Sequence, residues 1–365
     1  MSWRGVWLLT LGLLAAGSPG YALPLFARQY GVDCNQCHSI APRLNPFGLA
    51  FQANHYNWPG GKPPARKSGG KSVLPALPVS GLATFSGAEN QTEGKSTADF
   101  HTLELFVANG FGVGRQSRGG YFVDALAATR EEDGRVGDLE KAFVSLPVVG
   151  RRGEGALTVG QFIPMSYQWD PNNQLTETLP FALADEVDGF TFTDPVPGLR
   201  AEYFNHPGEE TADGNCVTVG VPFGGRLALN RHARWGSPHG VFAHGFRRWG
   251  YSIVGLFGFT HAGNHLEGVI GTHALRKNLY LLGVGAVGHD SDGTTRRLAV
   301  QGEYVASPRM ALTADLESLG GRQNDVGGIA AVTYYPFKLP VLRLSAEMVQ
   351  RKGDRSFILF ARGQF

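Results

Sequence analysis

The chain has 365 residues, 51 of them glycine, about twice the usual share of roughly 7%. Its 42% hydrophobic and 11% aromatic content excludes a disordered chain, and its three cysteines exclude a disulfide-dense scaffold. A formal net charge of +2 excludes a long acidic or basic tail and calls for no nucleic-acid partner.

Residues 1–22 read as a secretory signal peptide. Arg4 precedes an apolar run from Val6 to Ala16, Gly17 to Gly20 breaks it, and small residues flank a cut after Ala22. No later stretch holds 18 consecutive apolar residues. Any membrane-spanning part is therefore expected to be a closed β-barrel, the other way to satisfy backbone groups in lipid.

Residues 23–56 carry the chemistry. Cys34-Asn35-Gln36-Cys37-His38 is a C-x-x-C-H sequence, the attachment signature of a c-type haem. Two thiols three residues apart lie on one turn and reach both vinyl groups of one porphyrin. The adjacent His38 is then the proximal iron ligand. Chance would place this motif in roughly 5 of 10,000 chains of this composition. A thioredoxin-like pair lacks its βαβ surroundings, and a structural zinc site lacks a fourth ligand nearby.

The distal ligand is open at this stage. Pro46 to Tyr56 reads as a short helix capped by Asn45, with Phe47, Phe51 and His55 on one face. His55 then either reaches the iron or is a solvated residue at the helix end. Met165, Met310 and Met348 are the thioether alternatives, all distant in sequence. Arg28 and Arg43 are candidates to pair with the haem propionates, or are ordinary surface arginines. No catalytic side chain is expected, because electron transfer needs no nucleophile or proton relay.

Residues 57–78 form a Pro/Gly/Lys-rich linker. Residues 23–78 carry a net +5 and residues 79–365 a net −4, so the basic segment could dock on its acidic neighbour or simply be solvated.

Residues 79–365 read as β throughout, with about 16 strands. Leu342, Leu344, Ala346 and Met348 alternate with Arg343, Ser345 and Glu347. Leu312, Ala314 and Leu316 alternate with Thr313, Asp315 and Glu317, and Leu298, Val300 and Tyr304 with Gln301 and Glu303. Charges recurring on an inner face do not suit a dry sandwich; apolar outside and polar inside is the pattern of a transmembrane barrel. The fold class is therefore mainly β: an antiparallel transmembrane barrel with a small N-terminal helical haem module.

Met165 to Gly198 reads as a long acidic loop, extracellular or folded inward, with Asp170, Glu177, Asp185, Glu186, Asp188 and Asp194. The loop attracts a cation or merely solubilises. His232, His239, His244, His261, His265 and His273 form either a lumenal metal cluster or scattered lumen residues. Cys216 reads as a small packed residue. The chain ends on an aromatic amphipathic strand closing with Phe365, which resembles the assembly signal of bacterial outer-membrane proteins.

Phe26 to His38, then Pro42-Arg43-Leu44-Asn45-Pro46-Phe47-Gly48 and Phe51, resemble the fused monohaem cytochrome c–porins of the bacterial outer membrane, whose best-known members are iron oxidases. The specific similarity covers about residues 24–56; beyond it only the architecture matches. The resemblance implies one covalent haem c on Cys34, Cys37 and His38, and a porin-like barrel in the outer-membrane lipid. The module then lies on the periplasmic side or in the lumen. It also implies electron transfer from an extracellular donor, foremost Fe(II), to a soluble periplasmic cytochrome, which would make the chain an Fe(II)-oxidising oxidoreductase. The family pattern has glycine where this chain has His55. The alternatives are a haem-plugged porin for solutes and exchange with a donor or acceptor other than iron.

Overall fold

A computed structural model describes residues 25–59, 79–111, 119–129, 138–149, 155–165, 173–176, 178–184, 187, 190–205, 213–223, 240–321, 324–337, 342–351 and 353–364. The expected signal peptide, most of the linker, His232, His239, Phe365 and the loop acids other than Asp194 lie outside these residues.

Sixteen antiparallel strands close into one barrel. In chain order they are β1 Val79–Asn90, β2 Lys95–Phe111, β3 Gly119–Thr129, β4 Asp138–Val149, β5 Gly155–Phe162, β6 Val196–Phe204, β7 Gly214–Pro222 and β8 Val241–Trp249. There follow β9 Ser252–His261, β10 Asn264–Arg276, β11 Leu279–Asp290, β12 Gly293–Ser307, β13 Met310–Gly321, β14 Asp325–Tyr334, β15 Leu342–Arg351 and β16 Asp354–Gln364. Each strand pairs with the next, and β16 returns to β1 with Gln364 opposite Leu82. Closure leaves no free edge, as a wall in lipid requires.

The wall is inside-out. On β13, Leu316 is 74% exposed and its neighbour Glu317 2%. On β12, Leu298 and Val300 face out while Gln301 and Glu303 are buried. Arg343, Ser345 and Glu347 of β15 likewise turn inward. Tyr203, Trp249, Tyr304 and Tyr334 are exposed at or near the C-terminal ends of β6, β8, β12 and β14. These even-numbered strands end where β1 begins, so the four rings form an aromatic girdle around that mouth. An apolar belt bounded by such a girdle marks a bilayer interface.

The expected long loop folds inward. Met165, Leu175, Leu183, Val187, Phe190 and Phe192 are buried. Phe190 stacks on Phe259 of β9 at 4.0 Å between centroids. On the far side the Thr178 amide donates to Glu347 Oε2 at 3.1 Å, and Thr333 Oγ1 donates to the Leu175 carbonyl at 3.2 Å. The loop therefore crosses the lumen from β5 to the β14–β15 wall. Cys216 is buried in the apolar cluster beside it, as a small packed residue.

The histidine expectation needs correction. His265, Glu267 and His273 do share a face, but alternation places that face outward, because Leu266, Ile270 and Thr272 are the buried set. His265 instead stacks on His289 of β11 at 5.3 Å, on the outer wall. Among the described histidines of this set, His244 is buried on the lumenal face.

Candidate functional site

The N-terminal segment lies inside the barrel at the mouth where β1 begins. It comprises α1 (Leu25–Tyr30), a single 3-10 turn (Cys34–Gln36), a short pairing of His38–Ile40 with Arg43–Leu44, and α2 (Pro46–Ala53). Asn45 organises it. Its Oδ1 accepts from the Gly48 amide at 2.9 Å and so caps α2. Its Nδ2 donates to the Asn35 and Gln36 carbonyls at 3.1 and 3.0 Å, which ties the helix to the cysteine turn. Gly48 is required here, since a Cβ would lie 2.1 Å from the Cys37 carbonyl oxygen.

Cys34 and Cys37 are free thiols one turn apart, with the Cys37 amide donating to the Cys34 carbonyl at 3.2 Å. Burial pushes both thiols up, Cys37 to about 12, with Cys34 adding to the Cys37 shift. His38 Nδ1 lies 3.0 Å from the Pro42 carbonyl oxygen. A carbonyl can only accept, so Nδ1 carries the proton and Nε2 keeps its lone pair. Burial lowers the His38 pKa, which also favours the neutral ring. A neutral imidazole oriented by a backbone carbonyl is the arrangement found behind metal-ligating histidines.

These groups face one cavity of about 340 Å³, within the range of about 300–1,000 Å³ for cofactor pockets. Cys34, Cys37, His38 and His55 all line it. Aromatic rings make its walls: Phe26 meets Phe51 at 4.9 Å and Tyr56 at 5.1 Å, and Tyr56 reaches Phe122 of β3 at 5.6 Å. Thiols, a pre-oriented imidazole and apolar rings around one cavity match what a covalent haem requires.

His55 arrives by a different route from the expected one. Helix α2 stops at Ala53, and His55 and Tyr56 take φ of 49° and 64°. His55 therefore leaves the face of Phe47 and Phe51, and the left-handed turn brings it to the cavity. Gly120 lets it approach: a Cβ there would lie 2.4 Å from the His55 carbonyl oxygen.

The two expected propionate partners are placed elsewhere. Arg43 is buried, pairs with Glu303 of β12 and sits over the Tyr280 ring at 4.1 Å. Arg28 donates to the Val79 carbonyl at the barrel mouth. Neither lines the cavity. Both instead anchor the module, together with Tyr335 Oη donating to the Ala41 carbonyl, Gln29 Nε2 to Asn109 Oδ1 at 2.6 Å, and Asn57 Nδ2 to the Gly119 carbonyl at 2.9 Å. Met165 is buried in the inward loop, whereas Met310 and Met348 face outward.

Sequence reading missed the charged side chains that the wall adds. Lys141, Arg200, Arg343 and Arg362 line the cavity, against Asp33 and Glu202. On the same wall Glu104, Asp124 and Glu140 hold carboxylate oxygens within 4.8 Å of one another, with Lys141 Nζ 3.9 Å from Asp124. A charge at an inward position of a strand was the available signal; which charges meet was not readable.

No protein-family model and no curated protein matches the chain. Solved structures do. OmpF of Salmonella typhi, in complex with daunomycin, is 13% identical at a TM-score of 0.62, covering 79% of this chain and 97% of that one. The anion-selective porin of Comamonas acidovorans is 11% identical at 0.58, covering 79% and 98%. A triple mutant of the Rh. blastica porin is 10% identical at 0.59, covering 79% and 99%. At such identities the likeness is one of fold: the chain has the closed 16-strand architecture of the outer-membrane porins.

Proposed function

We propose that the chain is an outer-membrane electron-transfer protein whose N-terminal segment carries one covalent haem c within a porin-like barrel. The observation that carries this reading is His38: its Nδ1 is held by the Pro42 carbonyl, and it shares a cavity with Cys34 and Cys37. A haem c held there supplies one-electron transfer between an external donor, Fe²⁺ in this reading, and a soluble periplasmic cytochrome.

The chain's own residues do the rest. Cys34 and Cys37 would hold the group through their sulfurs, and His38 and His55 would offer ring nitrogens to its iron. Phe26, Phe51 and Tyr56 exclude water from the cavity, and Arg43 with Glu303 holds the segment to the wall. The apolar belt seats the barrel in lipid. In barrels of this class both chain ends are periplasmic, which puts the module at the periplasmic mouth, within reach of a soluble partner.

The test is an anaerobic titration of purified protein with Fe²⁺, followed by its absorbance spectrum. Reduction of the haem bands supports the iron donor; haem that stays oxidised at every accessible pH rejects it. The porin fold favours a second reading, a haem-plugged pore for solutes. Swelling of liposomes in small sugars would support that pore, and swelling abolished only by the seated module would support the plug.

A further inference from the structure

His265 of β10 and His289 of β11 stand directly opposite each other across the strand pair. Their rings stack with centroids 5.3 Å apart and planes tilted by 30°. Both face outward at the mouth opposite the N-terminal segment, since His265 follows the first residue of β10 and His289 precedes the last of β11. The apolar belt begins below them, with Val287 and Val269 exposed on the same two strands.

Both imidazoles can present a lone pair. His289 Nδ1 lies 3.0 Å from Thr294 Oγ1. A hydroxyl accepts as well as donates, so with the proton on Nδ1 the Nε2 atom is left for a ligand. A partner behind one ring nitrogen is what orients metal-ligating histidines. His265 makes no hydrogen bond among the described residues, so its ring is free to turn. Glu267 is exposed two positions along the same face of β10, opposite Val287. It enters no ion pair or hydrogen bond among the described residues. Two residues span about 7 Å of strand, a gap that the glutamate side chain bridges by rotation.

Two imidazoles and one carboxylate suit a borderline divalent transition ion and leave its other positions to water. Tetrahedral bonds of about 2.0–2.1 Å place two ligand nitrogens about 3.3 Å apart. Stacked, tilted rings reach that spacing by a modest change of χ. A hard cation such as Ca²⁺ wants about six or more oxygens and finds one carboxylate here.

We propose that His265, Glu267 and His289 form a surface site for one divalent transition-metal ion. The ion clips β10 to β11 at the rim, beside the β9–β10 and β11–β12 turns. The site is separate from the cysteine-lined cavity and stands independently of the haem.

The test uses untagged, full-length protein in detergent free of lipopolysaccharide, with heat-shifted migration reporting the folded barrel. Calorimetric titration with Zn²⁺ reports affinity, and electron paramagnetic resonance of added Cu²⁺ counts the nitrogen ligands. His265→Ala and His289→Ala should each weaken Zn²⁺ binding by about tenfold or more, as loss of a ligand or its support does. Glu267→Gln should weaken it by a smaller factor. Bound Cu²⁺ should couple to two imidazole nitrogens in the wild type and to one in each histidine variant. His273→Ala, on the same outer face but opposite Leu281, is the control and should bind like the wild type. Should an alanine variant fail to assemble, His265→Gln and His289→Gln decide. Wild-type binding in any of the three site variants, or an equal loss in His273→Ala, overturns the proposal.

Discussion

Arg43 and Glu303, 260 positions apart, form an ion pair whose side chains are 4% and 0% exposed. It joins the cysteine-bearing segment to the barrel wall, with Tyr280 beneath the guanidinium. Removing one partner of such a pair leaves a buried charge and costs about 3–5 kcal/mol. Arg43→Ala should therefore loosen the segment from its seat. Limited proteolysis should clip the N-terminal segment faster than in the wild type while the barrel core survives. Identical cleavage rates would show that the pair is not an anchor.

Gly120 marks the closest approach of segment and wall. Gly120→Ala puts a Cβ against the His55 carbonyl, a backbone atom with little freedom to retreat. Overpacking of this kind costs about 1–3 kcal/mol. The variant should lower the melting temperature and disturb the axial-ligand spectrum. Gly283→Ala, where a Cβ meets nothing within 4 Å, is the control and should do neither.

His55→Ala tests the distal position directly. The expected result is a change of spin state and of ligand-field bands, with covalent haem retained. An unaltered spectrum would remove His55 from the coordination sphere.

The Cys37 thiol, raised to about 12 by burial and by Cys34, stays protonated through neutral pH in haem-free protein. At pH 8 its thiolate fraction is on the order of 1 in 10,000, against about a quarter for an ordinary thiol near 8.5. Alkylation should therefore be slow at pH 8 and accelerate steeply only in strong alkali. Labelling as fast as that of a small-molecule thiol would contradict the buried turn.

Much of the fold was legible because a period of two survives in the sequence. Leu344 and Met348 against Arg343 and Glu347 reveal a strand, and charges on one side reveal a wet interior. Periodicity says which residues share a face but not which way a face points. That is why His265, Glu267 and His273 read as lumenal yet face out. The cysteine motif and the Asn45 cap were legible because both are local. His55 was not, because the end of α2 and two positive-φ residues redirect it. Arg43 was not, because its partner lies 260 residues away. The inward loop was visible as a long strandless stretch, but its seat on Glu347 and Thr333 depends on closure of the barrel.

The function proposed for this barrel depends on Cys34, Cys37 and His38 holding a covalent haem. The most direct measurement is the pyridine haemochrome spectrum of the purified full-length protein, taken before and after acid–acetone extraction. The expected result is one c-type haem per chain that survives extraction and is lost as covalent haem in Cys37→Ala, with the barrel still folded. A wild-type protein without haem, or with haem that extraction removes, would contradict it.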